Sequence, residues 1–236
     1  MDYQRQLSNG FDRIPANLYK FSAPSAVIYD APDIRQFDQT WFGFFTNSTG
    51  RVAQQTGYAA LGNLPSVSAG RYSDIYQVNL YRGFFFGGYR LMDSRALEVF
   101  TRVNSSVAIG LVEVNAPFDP NDTYQSLDFG ELTQGESQSF DIVVEANGGY
   151  ALSMSAMYDG KMKHATETST VDYLTQINGG QISLTGSSSV PVEVAVSGSA
   201  SAPGGDRYRC RIVIGDPSQA LGGRYNESIT ITATAY

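Results

Sequence analysis

The residue types that do chemistry are few in this chain, and they are not grouped. His164 is the sole histidine, and neither a second histidine nor a cysteine stands at metal-ligand spacing from it. A zinc site or a Cys-His nucleophile pair therefore finds no support. His164 follows Gly160-Lys161-Met162-Lys163 in what reads as a loop, which makes it a solvated side chain. Ser187-Ser188-Ser189 lacks the Gly-x-Ser-x-Gly surroundings of an activated serine and reads as loop filler. Gly204-Gly205 is not followed by the helix that a phosphate cradle needs. The carboxylates Asp119, Asp122 and Glu131 could meet in space as a pair for glycoside hydrolysis, yet no spacing singles out two of them. Phe118-Asp119-Pro120-Asn121-Asp122 offers oxygen ligands for calcium or, more simply, an Asx-rich turn. Cys210, the single cysteine, excludes an intrachain disulfide. Within Tyr208-Arg209-Cys210-Arg211-Ile212-Val213-Ile214 it is a small strand filler, or a thiol that Arg209 and Arg211 would favour as thiolate if the site were open. The expectation is a protein that is not an enzyme, with no cofactor and no metal.

What remains to act is shape: strands, their edges and apolar loops. Charged residues make up only 17% of the 236-residue chain while Gly, Ser, Thr, Tyr and Phe are abundant, the composition of an all-β protein with many turns. A net charge of −7 argues against nucleic acid as a partner, because no basic stripe is present to meet phosphates. No apolar run reaches the roughly 18 residues of a membrane span. Asp2, Tyr3, Gln4, Arg5 and Gln6 after Met1 lack the basic-then-apolar order of a secretory signal, so none is expected in this chain.

The strongest pattern lies at the carboxyl end. In Gly223-Arg224-Tyr225-Asn226-Glu227-Ser228, followed by Ile229 to Tyr236, the residues Ile229, Ile231, Ala233 and Ala235 alternate with threonines, as on a strand with one face on a core. The same phrase occurs earlier as Gly70-Arg71-Tyr72-Ser73-Asp74-Ile75-Tyr76-Gln77-Val78-Asn79-Leu80. Matching residues lie 153 positions apart (223 minus 70), a common size for one domain, which suggests two units of one type. Only 69 residues precede the first copy, so the first unit is expected to be truncated at its amino terminus, with Met1 not the biological start.

Along the chain, residues 1 to 40 read as Pro-punctuated loops around one or two short strands, with an apolar patch at Ala26-Val27-Ile28-Tyr29. Trp41-Phe42-Gly43-Phe44-Phe45 does not alternate, so part of it must leave the core side of any regular strand. Gly57 to Pro65 reads as a second apolar loop. Phe84-Phe85-Phe86-Gly87-Gly88-Tyr89 reads as the exit from the first unit, placing the domains at 1–88 and 89–236. Short strands then follow at 97–103, 107–114, 139–146, 150–157, 171–174, 181–184, 190–196, 208–214 and the terminus. No window has a helical period with caps, and strands at this spacing imply a β-sandwich.

Five fragments occurring in order carry a resemblance: Leu127-Asp128-Phe129-Gly130; Asn147-Gly148-Gly149 with Tyr150 to Ser155; Asp159-Gly160 with Lys161 to His164; Val171-Asp172-Tyr173 with Asn178-Gly179; and Gly223-Arg224-Tyr225-Asn226-Glu227. The series resembles the spore coat protein U domain, the subunit fold of archaic chaperone-usher pili. The likeness covers about residues 96–236, while the first unit matches mainly through Gly70 to Leu80. Two departures stand out: a single Cys210 cannot supply the disulfide many members carry, and the amino-terminal half of the first unit has no counterpart.

The resemblance implies two immunoglobulin-like β-sandwich domains in tandem, the second incomplete because it lacks its last strand. The missing strand would come first from a periplasmic pilus chaperone and then, at an outer-membrane usher, from the adjacent pilus subunit. Ile229, Ile231, Ala233, Ala235 and Tyr236 would border the acceptor groove. Two units in one chain resemble a tip adhesin located on an extracellular pilus after passage through the periplasm. Trp41, Phe42, Phe44, Phe45, Tyr58, Leu61 and Leu64 would then be apolar loop residues touching a host or abiotic surface, against the plainer reading that they pack inside the first sandwich. A structural pilus or coat subunit and a secreted carbohydrate-binding β-sandwich are the alternatives.

Overall fold

The computed structural model describes residues 5–19, 27–28, 56–62, 67–84 and 88–236, and these form strands and loops with no helix. The fold is all-β. The chain divides into two compact units, Met1–Val103 and Asn104–Tyr236. Trp41, Phe42, Phe44, Phe45 and Leu64 lie outside the described residues.

In the first unit a six-stranded antiparallel sheet runs β3(Val27–Ile28), β2(Arg13–Tyr19), β1(Arg5–Ser8), β5(Gly70–Phe84), β6(Gly88–Val103), with β4(Tyr58–Leu61) also on β2. A turn closes β1 onto β2, where Asn9 Oδ1 accepts from the N–H groups of Phe11 and Asp12. Leu7, Ile14, Ala16, Val67 and Tyr72 form the described core of this unit, with Val99 and Val103 packed on it. The stretch that reads as an exit does not separate the units, because the strands on either side of it, β5 and β6, pair with each other along a long antiparallel ladder. Phe84 pairs with Gly88, whose φ of 80° suits the reversal, and pairing continues back to Gly70 opposite Val103. Residues 89–103, including the expected first strand of the second unit, therefore belong with the first. The units meet at 103/104 rather than at 88 because a strand is held by its ladder, not by its distance from an aromatic run.

The second unit is a two-sheet sandwich. One sheet runs β15(Tyr225–Asn226), β10(Lys161–His164), β11(Thr170–Ile177), β14(Asp206–Ile214), β8(Ser137–Ala146), β7(Val107–Val112), with β12(Gly180–Ile182) also on β11. The other runs β13(Val192–Ser197), β9(Tyr150–Ala156), β16(Ile229–Ala235). Alternation places Tyr150, Leu152, Met154 and Ala156 of β9 in a core completed by Phe140, Ile142, Val144, Tyr173 and Ile212. Asn178 and Gly179 both take positive φ and turn β11 into β12, the dipeptide a two-residue hairpin demands. Cys210 is fully buried in this core, and burial pushes its thiol up to about 12, so it is inert packing. Asp141, also fully buried, accepts from Arg207, Arg209 and the Asn115 N–H. Burial alone would raise its pKa, but the Arg209 hydrogen bond, the Asn115 N–H and Arg207 together hold it below the usual carboxylate range.

Candidate functional site

Among the described residues the terminal strand β16 has one partner. It pairs with β9 from Ile229 opposite Ala156 to Ala235 opposite Tyr150, and among the described residues no strand pairs with its other edge. The threonines face outward, while the inward residues Ile229, Ile231, Ala233 and Ala235 are only half-buried. Their neighbours on β9 at the same depth are sealed completely. The inward face of β7, the edge strand of the opposite sheet, is likewise half-buried at Val107, Ile109 and Leu111. The two edge strands, β7 and β16, thus both leave apolar side chains half open.

A cavity of about 1000 Å³ lies beside them. Ile229 and Ile231 form one wall, Phe140, Tyr173 and Ile212 the floor, and the segment from Thr123 to Leu132 the other wall. That segment is extended, with Leu127 and Phe129 turned inward between exposed Ser126, Asp128 and Gly130, yet it belongs to no strand. It is held against β7 at one point, where the Leu111 N–H donates to Asp122 O and Gln125 Nε2 donates to Leu111 O. Of the residues the sequence places at an acceptor groove, the structure brings Ile229 and Ile231 to the cavity. Ala233 packs on the core further along, and Ala235 and Tyr236 do not line the cavity. Tyr236 is exposed and folds over Gly149, its hydroxyl donating to Ser197 O at 2.8 Å.

Two polar groups at the cavity were not legible as such. Glu227 accepts from the N–H groups of Tyr158 and Ser228, and burial, outweighing those donors, raises its pKa. Tyr173 is buried in the floor, and its hydroxyl has no hydrogen-bond partner among the described residues. Its pKa is driven up, first by burial and then by the neighbouring charge of Glu227. A glutamate inside the turn-to-strand phrase Tyr225-Asn226-Glu227-Ser228 was the signal available for the first. Tyr173 stood in the fragment Val171-Asp172-Tyr173, which did not mark its hydroxyl as buried.

His164 is a correction. It is not solvated but buried at the end of β10, where Nδ1 accepts from the N–H groups of Thr166 and Glu167 and the ring meets Tyr225 edge-on at a 5.1 Å centroid separation. The assignment fails because Lys161 to His164 form a strand that pairs with both β11 and β15. Ser187 is likewise no filler: it is fully buried and its Oγ accepts the Ala156 N–H. In the 118–122 segment Asp119 Oδ1 accepts from the Asn121 N–H, an Asx turn. No cluster of three metal-ligating side chains occurs among the described residues.

In the first unit, Tyr58 and Leu61 lie on β4 rather than in a loop, and both are exposed. The β5–β6 hairpin adds exposed apolar side chains that sequence reasoning did not single out, among them Ile75 at 68% and Phe100 at 61% exposure. Their alternation with polar residues suited a half-buried strand, but no second layer of described residues seals them.

No protein-family model matches the chain. No curated protein sequence matches it either. Among solved structures it is similar to the CsuC-CsuE chaperone-tip adhesion subunit pre-assembly complex from archaic chaperone-usher Csu pili of Acinetobacter baumannii, at a TM-score of 0.44 and 12% identity, covering 98% of this chain and 81% of that one. It is also similar to a chaperone-tip adhesin complex of CFA/I fimbriae, at a TM-score of 0.38 and 10% identity over 100% of this chain and 77% of that one. Both likenesses are too remote to carry function, which must be reasoned from the chain's own residues.

Proposed function

We propose that this chain is the adhesive tip subunit of a chaperone-usher pilus, its second unit an acceptor of a donated strand and its first unit the part that meets a surface. The observation that carries the reading is the edge of β16, unpaired among the described residues beside a cavity of about 1000 Å³, with Ile229 and Ile231 half open to it. An added strand would pair with β16 through its main chain and set alternate apolar side chains on Phe140, Tyr173 and Ile212. The donors would be a periplasmic chaperone, then the adjacent subunit at the outer-membrane usher, and the finished protein would lie on an extracellular pilus. Exposed Tyr58, Leu61, Ile75 and Phe100 support the adhesive part of the reading. No step of this role is enzymatic.

The test is thermal unfolding of the full chain with and without a peptide of alternating apolar residues. Saturating peptide at about 100 times its Kd should stabilise the second unit by about 2.7 kcal/mol, because a ligand that binds only the folded state shifts the equilibrium by mass action. A transition unmoved by a panel of such peptides would mean a sandwich complete in itself, and the donor-strand role would be abandoned.

A further inference from the structure

We infer that Leu80–Arg82 and the facing Arg90–Met92 of the β5–β6 hairpin form a bilayer-binding element, with Arg82 and Arg90 as a paired site for the phosphates of anionic lipid. The two arginines are direct cross-strand partners, and both are exposed. Opposed residues of an antiparallel pair hold their Cβ atoms about 5 Å apart, and like charges so placed repel. Two other cations on this hairpin, Arg71 and Arg95, are neutralised. Arg71, which also faces an arginine across the ladder at Arg102, forms an ion pair with Glu98 at 2.7 Å and lies over the Phe100 ring at 4.5 Å. Arg95 is paired with Asp93 at 3.0 Å. These pairings occupy two of the hairpin's acids, and the third, Asp74, accepts from the Ile75 N–H. Arg82 and Arg90 make no ion pair or hydrogen bond among the described residues. Two adjacent guanidiniums without an acid, in a chain of net charge −7, form a local reversal of the molecule's charge. A phosphate group placed between them would remove the repulsion and accept from both forks.

The neighbouring residues decide between a membrane and a soluble polyanion. Tyr81 and Leu91 are partners on one face of the ribbon, and Leu80, two residues from Arg82, lies on the other. Leu80 is 54% exposed, Leu91 51% and the adjoining Met92 50%. Apolar side chains are thus open on both faces of this stretch of the hairpin. A chain of sugars would cover one face and leave the other wet, whereas the interface of a bilayer surrounds what enters it. Apolar residues with arginines at headgroup level are the composition that partitions there. This site goes beyond strand acceptance and does not depend on it.

The experiment is co-sedimentation of the full chain with phosphatidylcholine vesicles, with and without phosphatidylglycerol, for the native protein and for Arg82→Gln/Arg90→Gln. A control variant, Arg71→Gln, removes a neutralised cation from the same hairpin. The native chain should bind the phosphatidylglycerol vesicles, the double variant about 30-fold more weakly, and Arg71→Gln nearly as the native chain. Thermal unfolding checks folding, which the double variant should retain since it relieves a repulsion on an exposed surface. Absence of vesicle binding, or equal weakening by Arg71→Gln, overturns the inference. Retention on a sulfated polysaccharide that depends on Arg82 and Arg90, without vesicle binding, overturns it in favour of a soluble polyanion. If donor peptides fail to stabilise the second unit while vesicle binding behaves as described, the pilus reading falls and this one stands.

Discussion

Two corners built from the same three residues serve the two units differently. In the first, the Tyr72 hydroxyl donates to Ser68 O at 2.8 Å; in the second, the Tyr225 hydroxyl donates to Leu221 O at 2.9 Å, again four residues back. Each is a tyrosine corner, the device that fixes the turn into a strand of a sandwich. A second group braces each hydroxyl: Asp12, itself accepting from the Ser68 N–H and hydroxyl, and Ser169, which accepts from Tyr225 at 2.8 Å. Beyond the corner the two diverge. Gly70 opens a continuous strand to Phe84, whereas the strand after Gly223 breaks at Glu227–Ser228 and passes from β15 in one sheet to β16 in the other. Identical corner residues fix a turn, but the strands that pair with the chain beyond it decide where it runs.

The largest expected difference lies in the glycines. Both have φ outside the range side chains prefer, 145° at Gly70 and 154° at Gly223, so alanine strains either. A Cβ on Gly70 would meet only Asn9, at 3.8 Å, while one on Gly223 would overlap the buried His164 ring. Gly223→Ala should therefore cost about 3–5 kcal/mol and Gly70→Ala about 1–2 kcal/mol. Denaturant unfolding, followed for each unit's transition, measures both, and equal losses would break the comparison.

Removing the hydroxyls should have a smaller effect. Tyr72 is fully buried and Tyr225 is not, so Tyr72→Phe should cost about 2 kcal/mol against about 1 kcal/mol for Tyr225→Phe. A greater loss at Tyr225 would show that the second corner bears more of its unit's stability than its exposure suggests.

The acids beside the corners should respond to pH in opposite directions. Hydrogen bonds from Ser68 lower the pKa of Asp12, so its contribution is present above the ordinary carboxylate value and is lost as pH falls through the lowered one. Burial raises that of Glu227, so its contribution is present below the ordinary value and is lost as pH rises through the raised one. In thermal unfolding across pH, Asp12→Asn should match the native chain in strong acid and fall behind toward neutrality. Glu227→Gln should gain on the native chain over the same rise. Parallel profiles for the two variants would contradict the opposed shifts.

The smallest change belongs to Arg71→Gln, which removes a half-exposed ion pair with Glu98 and should cost about 0.5 kcal/mol. A loss above about 1.5 kcal/mol would indicate that stacking on Phe100, not the ion pair, holds the hairpin base.

Much of this fold was legible because its signals are local. Alternation in Ile229 to Ala235 and the apolar spacing of Tyr150 to Ala156 marked strands. Of the candidate groove, Ile229 and Ile231 were legible from the inward face of the terminal strand. The floor was not, because Phe140, Tyr173 and Ile212 come from three other strands. His164 was misread since four residues with two lysines carry no period strong enough to show a strand, and its burial is imposed by the ladders on either side.

By itself the sequence determined the all-β class, the repeated Gly-Arg-Tyr corner and a terminal strand with one apolar face. These depend on residue types within one strand or turn, where sterics and period-2 geometry act directly. Only the tertiary structure decided that residues 89–103 join the first unit, that Gly223 gives its space to His164, and that β16, among the described residues, keeps an unpaired edge beside an open cavity. Each is a relation between segments distant in the chain, set by which ladder forms and which volume is already filled, and no single stretch of sequence carries that information.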